Sequence, residues 1–455
     1  MRSKLAMKNM VANLFLQFLV LISGIILPRF FMETYGSTVN GMITSVNQFL
    51  MYLGLAEAGI GTASVVALYA PLAHEQEGEV NSILSATRKF YNRSGSLFLV
   101  FVLLLAVVYP FFISGQLEQS MVRTMVLVLA SSTLVDFFFL GKYRVLLTAN
   151  QRGYVVAAIQ SVGTVVNMAV SILLIYLGAS VLIVKAVATG VYILRLLLVR
   201  IYVKKEYPNV DFHAKPKMDA LNQRGAALLH QIVGIIVNNT DVVLGRGSLL
   251  EVSVYSAYNL VVTAVNTLLT SFSNGLTAGF GEVISKGEED VLRENYSSYE
   301  YMYLVILFIV VVCMGVLIIP FIAVYTMNMT DVDYVRPLIG VLFTVIVLLQ
   351  NIRIPGITII CAAGHYKETR YQAIIEAVIN LVVTIALIQK LGMAGVLIGT
   401  VCSYGYRSLD VILYNSKYLV KGTGKRTFSR IGRNILVVVV LVAVGIYVVP
   451  QNMTS

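Results

Sequence analysis

Long apolar runs are the feature of this sequence that most constrains its fold. A helix needs roughly 20 apolar residues to cross the hydrocarbon core of a bilayer, and the 455 residues contain thirteen such candidate spans. They lie near 10–31, 40–69, 96–113, 122–145, 154–177, 180–201, 226–246, 252–280, 301–325, 335–360, 371–390, 394–417 and 433–450. Only 13% of residues are charged, against about 25% in soluble domains. The sequence therefore predicts an all-α integral membrane protein.

Lysine and arginine residues set the predicted orientation, because cytoplasmic loops carry an excess of both. With the N-terminus inside, most of the 34 lysines and arginines fall in inner loops. We therefore assign the net charge of +11 to the membrane surface, with membrane lipid and no nucleic acid as partner. The first apolar run is too long for a cleaved signal and is predicted to be retained. Thirteen spans leave the C-terminus outside, and we expect a fourteenth span beyond this sequence.

The two halves of the sequence resemble each other. From Tyr35 and again from Gly245, each has a long apolar helix, an acidic polar inner loop and an apolar span that closes in Pro-Phe. The repeat predicts two pseudo-symmetric six-helix lobes plus at least one extra C-terminal helix. The predicted parts are an N-terminal lobe (1–201), a cytoplasmic linker (202–224), a C-terminal lobe (225–418) and a basic cytoplasmic loop with span 13 (419–455). Two like lobes are a common basis for alternating access.

Arginines inside the spans are candidates for substrate binding, because a charge at the bilayer centre costs from about 2.5 kcal/mol upward. Arg29, in ILPRFF, is either a cavity residue that holds an anionic head group or an interfacial residue. Arg353, in QNIRIPG, precedes a proline that permits a kink, which favours a cavity position. Arg195 either lines a cavity or pairs with a carboxylate of its own lobe. Arg407 and Asp410 are three residues apart and are expected to pair.

Carboxylates inside the spans are candidates for coupling or gating. Glu57 lies among small residues in LGLAEAGIGTAS and either gates transport or neutralises a nearby cation. Asp241 ends a run of four polar residues that lines a cavity or a helix seam. Asp136 and Glu376 either carry protons or sodium, or neutralise an arginine. Coupling to a proton or sodium gradient is thus open, and it requires no cofactor.

Amide side chains on the spans are further candidates. Asn47 on span 2 and Asn239 on span 7 are predicted to contact sugar hydroxyls, although such amides also join helices. The four histidines have no metal-ligand spacing. The sequence has no GxxxxGK[ST] loop for ATP and no GxSxG motif, and its predicted outer loops are short. These features favour a transporter without a metal, a cofactor or an ATPase motif over an enzyme.

Several motifs resemble one known family. ILPRFFMETYGSTVNG, MYLGLAEAGIG and ALYAPLA, with NNTDVVLG and VSVYSAYNLV in the second half, resemble the Wzx-type polysaccharide flippases of the multidrug/oligosaccharidyl-lipid/polysaccharide (MOP) exporter superfamily. The resemblance covers about residues 1–420. It implies a V-shaped pair of six-helix lobes around a cation-lined cavity, with an arginine of span 1, matched by Arg29, near that cavity. The thirteenth span departs from a twelve-helix core.

The same resemblance implies a function. Such proteins are thought to flip undecaprenyl-pyrophosphate-linked oligosaccharides to the outer leaflet of the bacterial plasma membrane for cell-surface polysaccharide biosynthesis. A polysaccharide polymerase and other assembly proteins are then expected partners. The alternative is a multidrug or small-molecule antiporter of the same superfamily, for which a carboxylate-dominated cavity would suit cationic drugs. A membrane enzyme would need a catalytic loop or a buried histidine, and the short outer loops argue against it.

Overall fold

The computed structural model describes residues 2–54, 60–113, 115–218, 248–273, 280–281, 283–284, 286–365 and 368–448. These ranges are helical and contain no strand, which confirms the predicted all-α class. The chain forms two compact units, Met1–Ile236 and Val237–Ser455. The predicted lobe and linker boundaries stay predictions, because residues 219–247 lie outside the described ranges.

The first unit is a bundle of long helices. They are α1 (Arg2–Tyr35), α2 (Ser37–Leu53), α3 (Ile60–Ala73), α4 (Glu77–Phe112), α5 (Gln119–Val135), α6 (Gly141–Ala149), α7 (Gly153–Tyr176) and α8 (Val181–Glu206). A π-helical turn, Asp136–Leu140, joins α5 and α6 into one span. Helix α1 packs along α7, α4 contacts α3 and α5, and α8 contacts α5 and α7.

The second unit has the same kind of architecture. Its helices are α9 (Leu249–Ser273), α10 (Glu289–Tyr325), α11 (Pro337–Ile352), α12 (Ile354–Ala362), α13 (Arg370–Leu391), α14 (Met393–Tyr414) and α15 (Gly424–Val448). A second π-helical turn, Asn415–Leu419, extends α14. Helices α13 and α14 form a tight antiparallel pair, α14 packs on α11, and α10 contacts both α11 and α15.

Eleven helical segments among the described residues are long and apolar enough to cross a membrane, and they confirm eleven of the thirteen predicted spans. The predicted span 226–246 lies outside the described residues. The predicted span 40–69 includes residues 55–59, which lie outside the described residues; α2 ends at Leu53 before them, and α3 begins at Ile60 after them. The last predicted span began at 433, whereas α15 begins at Gly424 and takes most of the predicted basic loop into the helix.

Apolar side chains on the outer surface show what surrounds these helices. Phe15 and Phe18 on α1, Phe112 on α4 and Val440 on α15 are all more than half exposed. Soluble proteins rarely expose contiguous apolar patches of this kind, because water penalises apolar area. Lipid tails remove that penalty, and the chain is a multi-pass membrane protein.

Candidate functional site

A break in one span of the second unit creates a polar centre. The span of α11 and α12 is interrupted at Arg353, because Pro355 lacks the N–H that would continue the helical hydrogen bonds. The backbone N–H of Arg353 instead donates a hydrogen bond to the backbone carbonyl of Asn351. Ser408 of α14 donates a 2.7 Å hydrogen bond to the Leu349 carbonyl. A neighbouring helix thus satisfies a backbone group that the break releases inside the membrane.

An ionic network surrounds this break. Arg353 is ion-paired with Glu376 of α13. Arg407 of α14 lies 3.7 Å from the other Glu376 oxygen and donates a 2.6 Å hydrogen bond to Asp410. Arg353 and Arg407 are each only 8% exposed, and Glu376 is 5% exposed. Two arginines and two carboxylates make the network formally neutral, which is what allows charges to lie in a low-dielectric interior.

The network contains the pair that residue spacing predicted, and it gives Glu376 two arginine neighbours, while a coupling role of Glu376 stays a prediction. Arg407 and Asp410 are paired as expected. Glu376 was either a proton or sodium carrier or a partner for an arginine, and in the structure it neutralises Arg353 and Arg407. The Arg353 guanidinium also lies 4.4 Å from the ring centroid of Tyr404, a cation–π contact. Arg353 therefore lies among protein partners rather than unpaired in a cavity.

A chain of amides continues from the network. Asn351 donates to Asn266 at 2.7 Å, and Asn266 donates to Gln350 at 2.9 Å. Tyr303 of α10 donates to the side-chain amide oxygen (Oδ1) of Asn351 at 3.1 Å. These hydrogen bonds join α9, α10 and α11 beside the helix break. They support the role of span amides in holding helices together.

The π-helical turn at the end of α14 packs against the same break. A Cβ on Gly356 would lie 2.5 Å from the Asn415 amide nitrogen and 2.5 Å from Val411, so only glycine allows this close approach. Asn415 is 1% exposed, and neither polar atom of its amide has a hydrogen-bond partner among the described residues. π-Helical turns often mark functional positions, and no motif in the sequence predicted this one.

Arg336, directly before α11, is also paired with a carboxylate, that of Glu251 on α9. Arg336 donates to both oxygens of Glu251, at 2.9 and 2.8 Å. The hydrogen bonds to Glu251 raise the pKa of Arg336 above its ordinary value. The pair lines a cavity of about 590 Å³ between α9, α11 and the α13–α14 turn.

A buried carboxylate attaches the last helix to the second unit. Glu300 of α10 is 3% exposed and accepts hydrogen bonds from Tyr296 at 3.0 Å, Thr427 at 2.6 Å and Arg430 at 2.8 Å. This site was not predicted, because Arg430 lies in the segment that was expected to be a basic cytoplasmic loop. The signal was present: a polar and a basic residue one turn apart directly before an apolar run.

In the first unit, Asp136 lies at the π-helical turn between α5 and α6. It accepts a hydrogen bond from Arg144 at 2.9 Å and another from Tyr192 of α8 at 3.1 Å. Asp136 thus has an arginine neighbour, and its predicted role in coupling or gating stays a prediction. Arg144 lies four residues beyond the last residue of the turn, so the pair links the start of the π-helical turn to α6.

Arg195 differs from the arginines of the second unit. Its side chain lies across α7 at Gly163, where a Cβ would be 2.7 Å from Arg195 Cδ. Arg195 has no carboxylate partner among the described residues, and its Nε has no hydrogen-bond partner there. Its nearest aromatic contact is Tyr192, 5.8 Å from the guanidinium carbon to the ring centroid. The expected pairing with a carboxylate of its own lobe is therefore not found in the described part of the unit.

The other predicted residues of the first unit lie on α1 and α2. Arg29 is partly exposed and makes no hydrogen bond or ion pair with another described residue. Asn47 is exposed on α2. Glu57, Asn239 and Asp241 lie outside the described residues. Their predicted roles, like those of Arg29 and Asn47, stay predictions.

Comparisons with known proteins place the fold. No family model and no curated protein matches the sequence. A multidrug resistance MATE family transporter of the MOP superfamily, in an inward-facing conformation, matches with a TM-score of 0.63 at 12% identity, over 93% of this chain and 98% of that chain. The Vibrio cholerae MATE transporter VcmN in its bent form matches with a TM-score of 0.58 at 13% identity, over 94% and 99%.

A flippase is also among the similar structures. The lipid II flippase MurJ, in an inward closed conformation, matches with a TM-score of 0.58 at 15% identity, over 96% of this chain and 98% of that chain. The chain is thus a multi-pass membrane protein whose fold is similar to that of these transporters and this flippase. More particularly, it has the MATE- and MurJ-like fold of the MOP superfamily, and identities this low establish the fold rather than the cargo.

Proposed function

We propose that this protein is a flippase for a lipid-linked oligosaccharide, an undecaprenyl-pyrophosphate-linked repeat unit, in cell-surface polysaccharide biosynthesis. It would act in the bacterial plasma membrane, with a cytoplasmic N-terminus, by alternating access. The observation that carries the proposal is that Arg29 and Arg195 lie on spans of the first unit without a carboxylate partner among the described residues. Their charge is available to an anionic cargo.

The chemistry of the cargo suits these arginines. A diphosphate brings negative charge into a low-dielectric region, and a guanidinium offers several donors in a planar fork that matches phosphate oxygens. The polyprenyl tail can stay in lipid, so only the head group must leave water. Asn47, which is exposed on α2, can donate and accept hydrogen bonds with sugar hydroxyls.

In this proposal the network at Arg353 couples transport to a gradient rather than holding cargo. A proton on Glu376 would remove the negative charge that faces both Arg353 and Arg407. Arg407 would then keep Asp410, and Arg353 would have no carboxylate partner among the described residues, which favours a different packing of the helices around the break. Asp136 next to Arg144, and Glu57 and Asp241 outside the described residues, are further candidates for coupling or gating.

A multidrug or small-molecule antiporter is the second candidate, supported by the MATE neighbours. It needs carboxylates that are available to a cationic drug. Asp136 and Glu376 are both occupied by arginines, so this observation favours the flippase.

A transport assay separates the two candidates. The purified protein is placed in liposomes that carry either a polyprenyl-diphosphate-linked oligosaccharide or a lipophilic cationic dye, with and without a proton or sodium gradient. We expect protein-dependent movement of the glycolipid between leaflets and no protein-dependent dye transport. Dye transport driven by the gradient, with the glycolipid static, would establish the antiporter instead.

A further inference from the structure

A basic groove lies at one end of the first unit, and neither Arg29 nor Arg195 lines it. Its volume is about 650 Å³, and it lies between α4 and the segment 207–218, here called the linker segment. The lining residues are Ser85, Arg88, Lys89, Asn92, Arg93, Ser96, Phe212, His213, Ala214 and Pro216. By the predicted orientation this end faces the cytoplasm.

The linker segment is fixed along α4 by hydrogen bonds and so forms a wall of the groove. Asn81 of α4 donates to the Asn209 carbonyl at 3.3 Å and accepts from the Asp211 N–H at 3.0 Å. The Lys217 N–H donates to the Ser82 carbonyl at 3.2 Å. The groove is therefore a built feature with two walls rather than a loose loop over a helix.

The floor of the groove is aromatic and basic. The Phe212 ring lies 5.2 Å from the Tyr143 ring, centroid to centroid, and 5.3 Å from the Lys142 ammonium. Arg88 donates to the Phe212 carbonyl at 3.4 Å. Arg88 and Arg200 both lie close enough to Lys142 to repel its charge. Cations from α4, α6 and α8 thus converge on one region of the unit.

The acidic residues nearby do not neutralise these cations. Glu79 is ion-paired with Lys217, and Glu77 accepts from the Asn209 amide at 3.2 Å. Asp211 lies 3.4 Å from a ring nitrogen of His213. Lys89 and Arg93 form no ion pair within the described part of the chain. An anion bound in the groove would relieve the repulsion between its cations.

The spacing of the cations suits two adjacent phosphates. Arg88, Asn92 and Ser96 repeat every four residues and lie on one face of α4, with Lys89 and Arg93 beside them. At 1.5 Å per residue, positions 88 to 93 extend over roughly 7.5 Å of helix. This length exceeds a single phosphate and matches a diphosphate with its first attached group. The hydroxyl and amide side chains add neutral donors around it.

We propose that this groove binds the diphosphate head group of a polyprenyl lipid at the cytoplasmic side of the first unit. The inference deepens the proposed function and rests on it, because the groove would collect the cargo before transport. Positive charge at an inner helix end is expected of many membrane proteins. A folded wall, an aromatic floor and cations without carboxylate partners go beyond what orientation in the membrane requires.

Photo-crosslinking locates the site directly. Protein in phosphatidylcholine nanodiscs is irradiated with a benzophenone-bearing farnesyl diphosphate, and labelled peptides are identified by mass spectrometry. The test variant is Lys89→Gln/Arg93→Gln, and the matched control is Lys204→Gln/Lys205→Gln. All four side chains are exposed and lie towards the same predicted side, and none has an ion-pair partner in the described ranges. Both variants should therefore fold like the wild type.

We expect labelling of α4 and the linker segment in the wild type and in the control, and about tenfold less labelling in the test variant. Equal labelling of the test variant and the wild type, or equal losses in both variants, would overturn the proposal. A further arm adds phosphatidylglycerol at the mole fraction of the probe. If it displaces the probe, the groove is a general anionic-lipid site and the assignment to a diphosphate is wrong.

The flipping assay keeps this inference separate from the proposed function. Specific labelling of the groove without any glycolipid movement would contradict the flippase and leave the diphosphate site standing. Glycolipid movement by a protein whose groove is never labelled would contradict the diphosphate site and leave the flippase standing.

Discussion

The buried arginines of the second unit and Arg195 of the first unit have different surroundings. In the second unit, Arg353 and Arg407 are buried and share Glu376 and Asp410 in a neutral network. In the first unit, Arg195 is partly exposed and lies on Gly163 without a carboxylate among the described residues. A buried charge needs a partner inside the protein, whereas a partly exposed one leaves its donors to water or to a ligand.

We expect this difference to separate structural arginines from those that we propose bind the cargo. Loss of one member of a buried pair leaves an uncompensated charge and destabilises a protein strongly. Loss of a partly exposed arginine without a partner removes little packing and few contacts. The two sets should therefore respond oppositely when stability and transport are both measured.

The largest effect on stability is expected from Glu376→Gln. This change leaves Arg353 and Arg407 facing a neutral amide, and we expect a loss of about 3–5 kcal/mol in the free energy of unfolding. The yield of monodisperse protein in detergent and its melting temperature measure the loss. Glu289→Gln is the control, because Glu289 is 80% exposed in its 3.6 Å contact with Lys421. If both variants have the same melting temperature, the network does not stabilise the protein.

The double variant Arg353→Met/Glu376→Met tests whether the network stabilises the protein only by neutralising charge. An apolar pair of similar volume has no charge to neutralise, so the double variant should be more stable than Glu376→Gln by about 1–4 kcal/mol. Arg407 keeps Asp410 at 2.6 Å in this variant. A double variant that is less stable than the single one would show that the ion pair contributes more than charge compensation.

A smaller loss is expected when Glu300→Gln weakens the attachment of α15. Arg430 and Thr427 could still donate hydrogen bonds to the new amide oxygen, so we expect the free energy of unfolding to fall by only about 1–3 kcal/mol. Hydrogen exchange of α15 compared with that of α13 measures the effect, and exchange should rise in α15 first. Unchanged protection of α15 would mean that apolar packing, such as Val442 against Gly315, holds the helix alone.

Gly163→Ala should alter transport more than stability. The new Cβ would displace the Arg195 side chain, which can swing away because it is partly exposed. We expect a stability change of about 1 kcal/mol or less, with transport slowed to the level of Arg195→Gln. Gly190→Ala on α8 is the matched control, since a Cβ there meets nothing within 4 Å. Normal transport by Gly163→Ala would remove Arg195 from the binding site.

Arg29→Gln is expected to have the smallest effect on stability, within about 0.5 kcal/mol, because no described residue depends on the Arg29 charge. Transport of the glycolipid should nevertheless slow, while Arg29→Lys should retain part of the rate since it keeps the charge. A clear fall in melting temperature for Arg29→Gln would place Arg29 among the structural arginines.

Local patterns predicted much of this molecule. Apolar runs located eleven spans, the three-residue spacing identified the pair of Arg407 with Asp410, and the proline after Arg353 indicated the break in α11–α12. Each of these depends on residues within a few positions of one another. Periodicity and backbone sterics are local, so they can be read along the chain.

The partners of the charged residues could not be predicted in the same way. Glu376 is 23 positions from Arg353, and it reaches Arg353 only because α13 and α14 pack as a tight pair beside α11. The contact of Arg195 with Gly163 likewise depends on how α7 meets α8. The π-helical turns, which shift the side chains of Asp136 and Asn415, leave no pattern in composition. Tertiary packing determines both side-chain contacts and both π-helical turns.

The most direct test of the different roles of the two units is the rate of downhill glycolipid flipping, without any gradient, in two double variants. Arg29→Gln/Arg195→Gln removes the two proposed binding arginines of the first unit, and Arg353→Met/Glu376→Met removes the buried Arg353–Glu376 pair of the second. We predict that the first variant flips at least about tenfold more slowly at an unchanged melting temperature, whereas the second keeps most of the wild-type rate. Fast flipping by the first variant and none by the folded second variant would contradict the account.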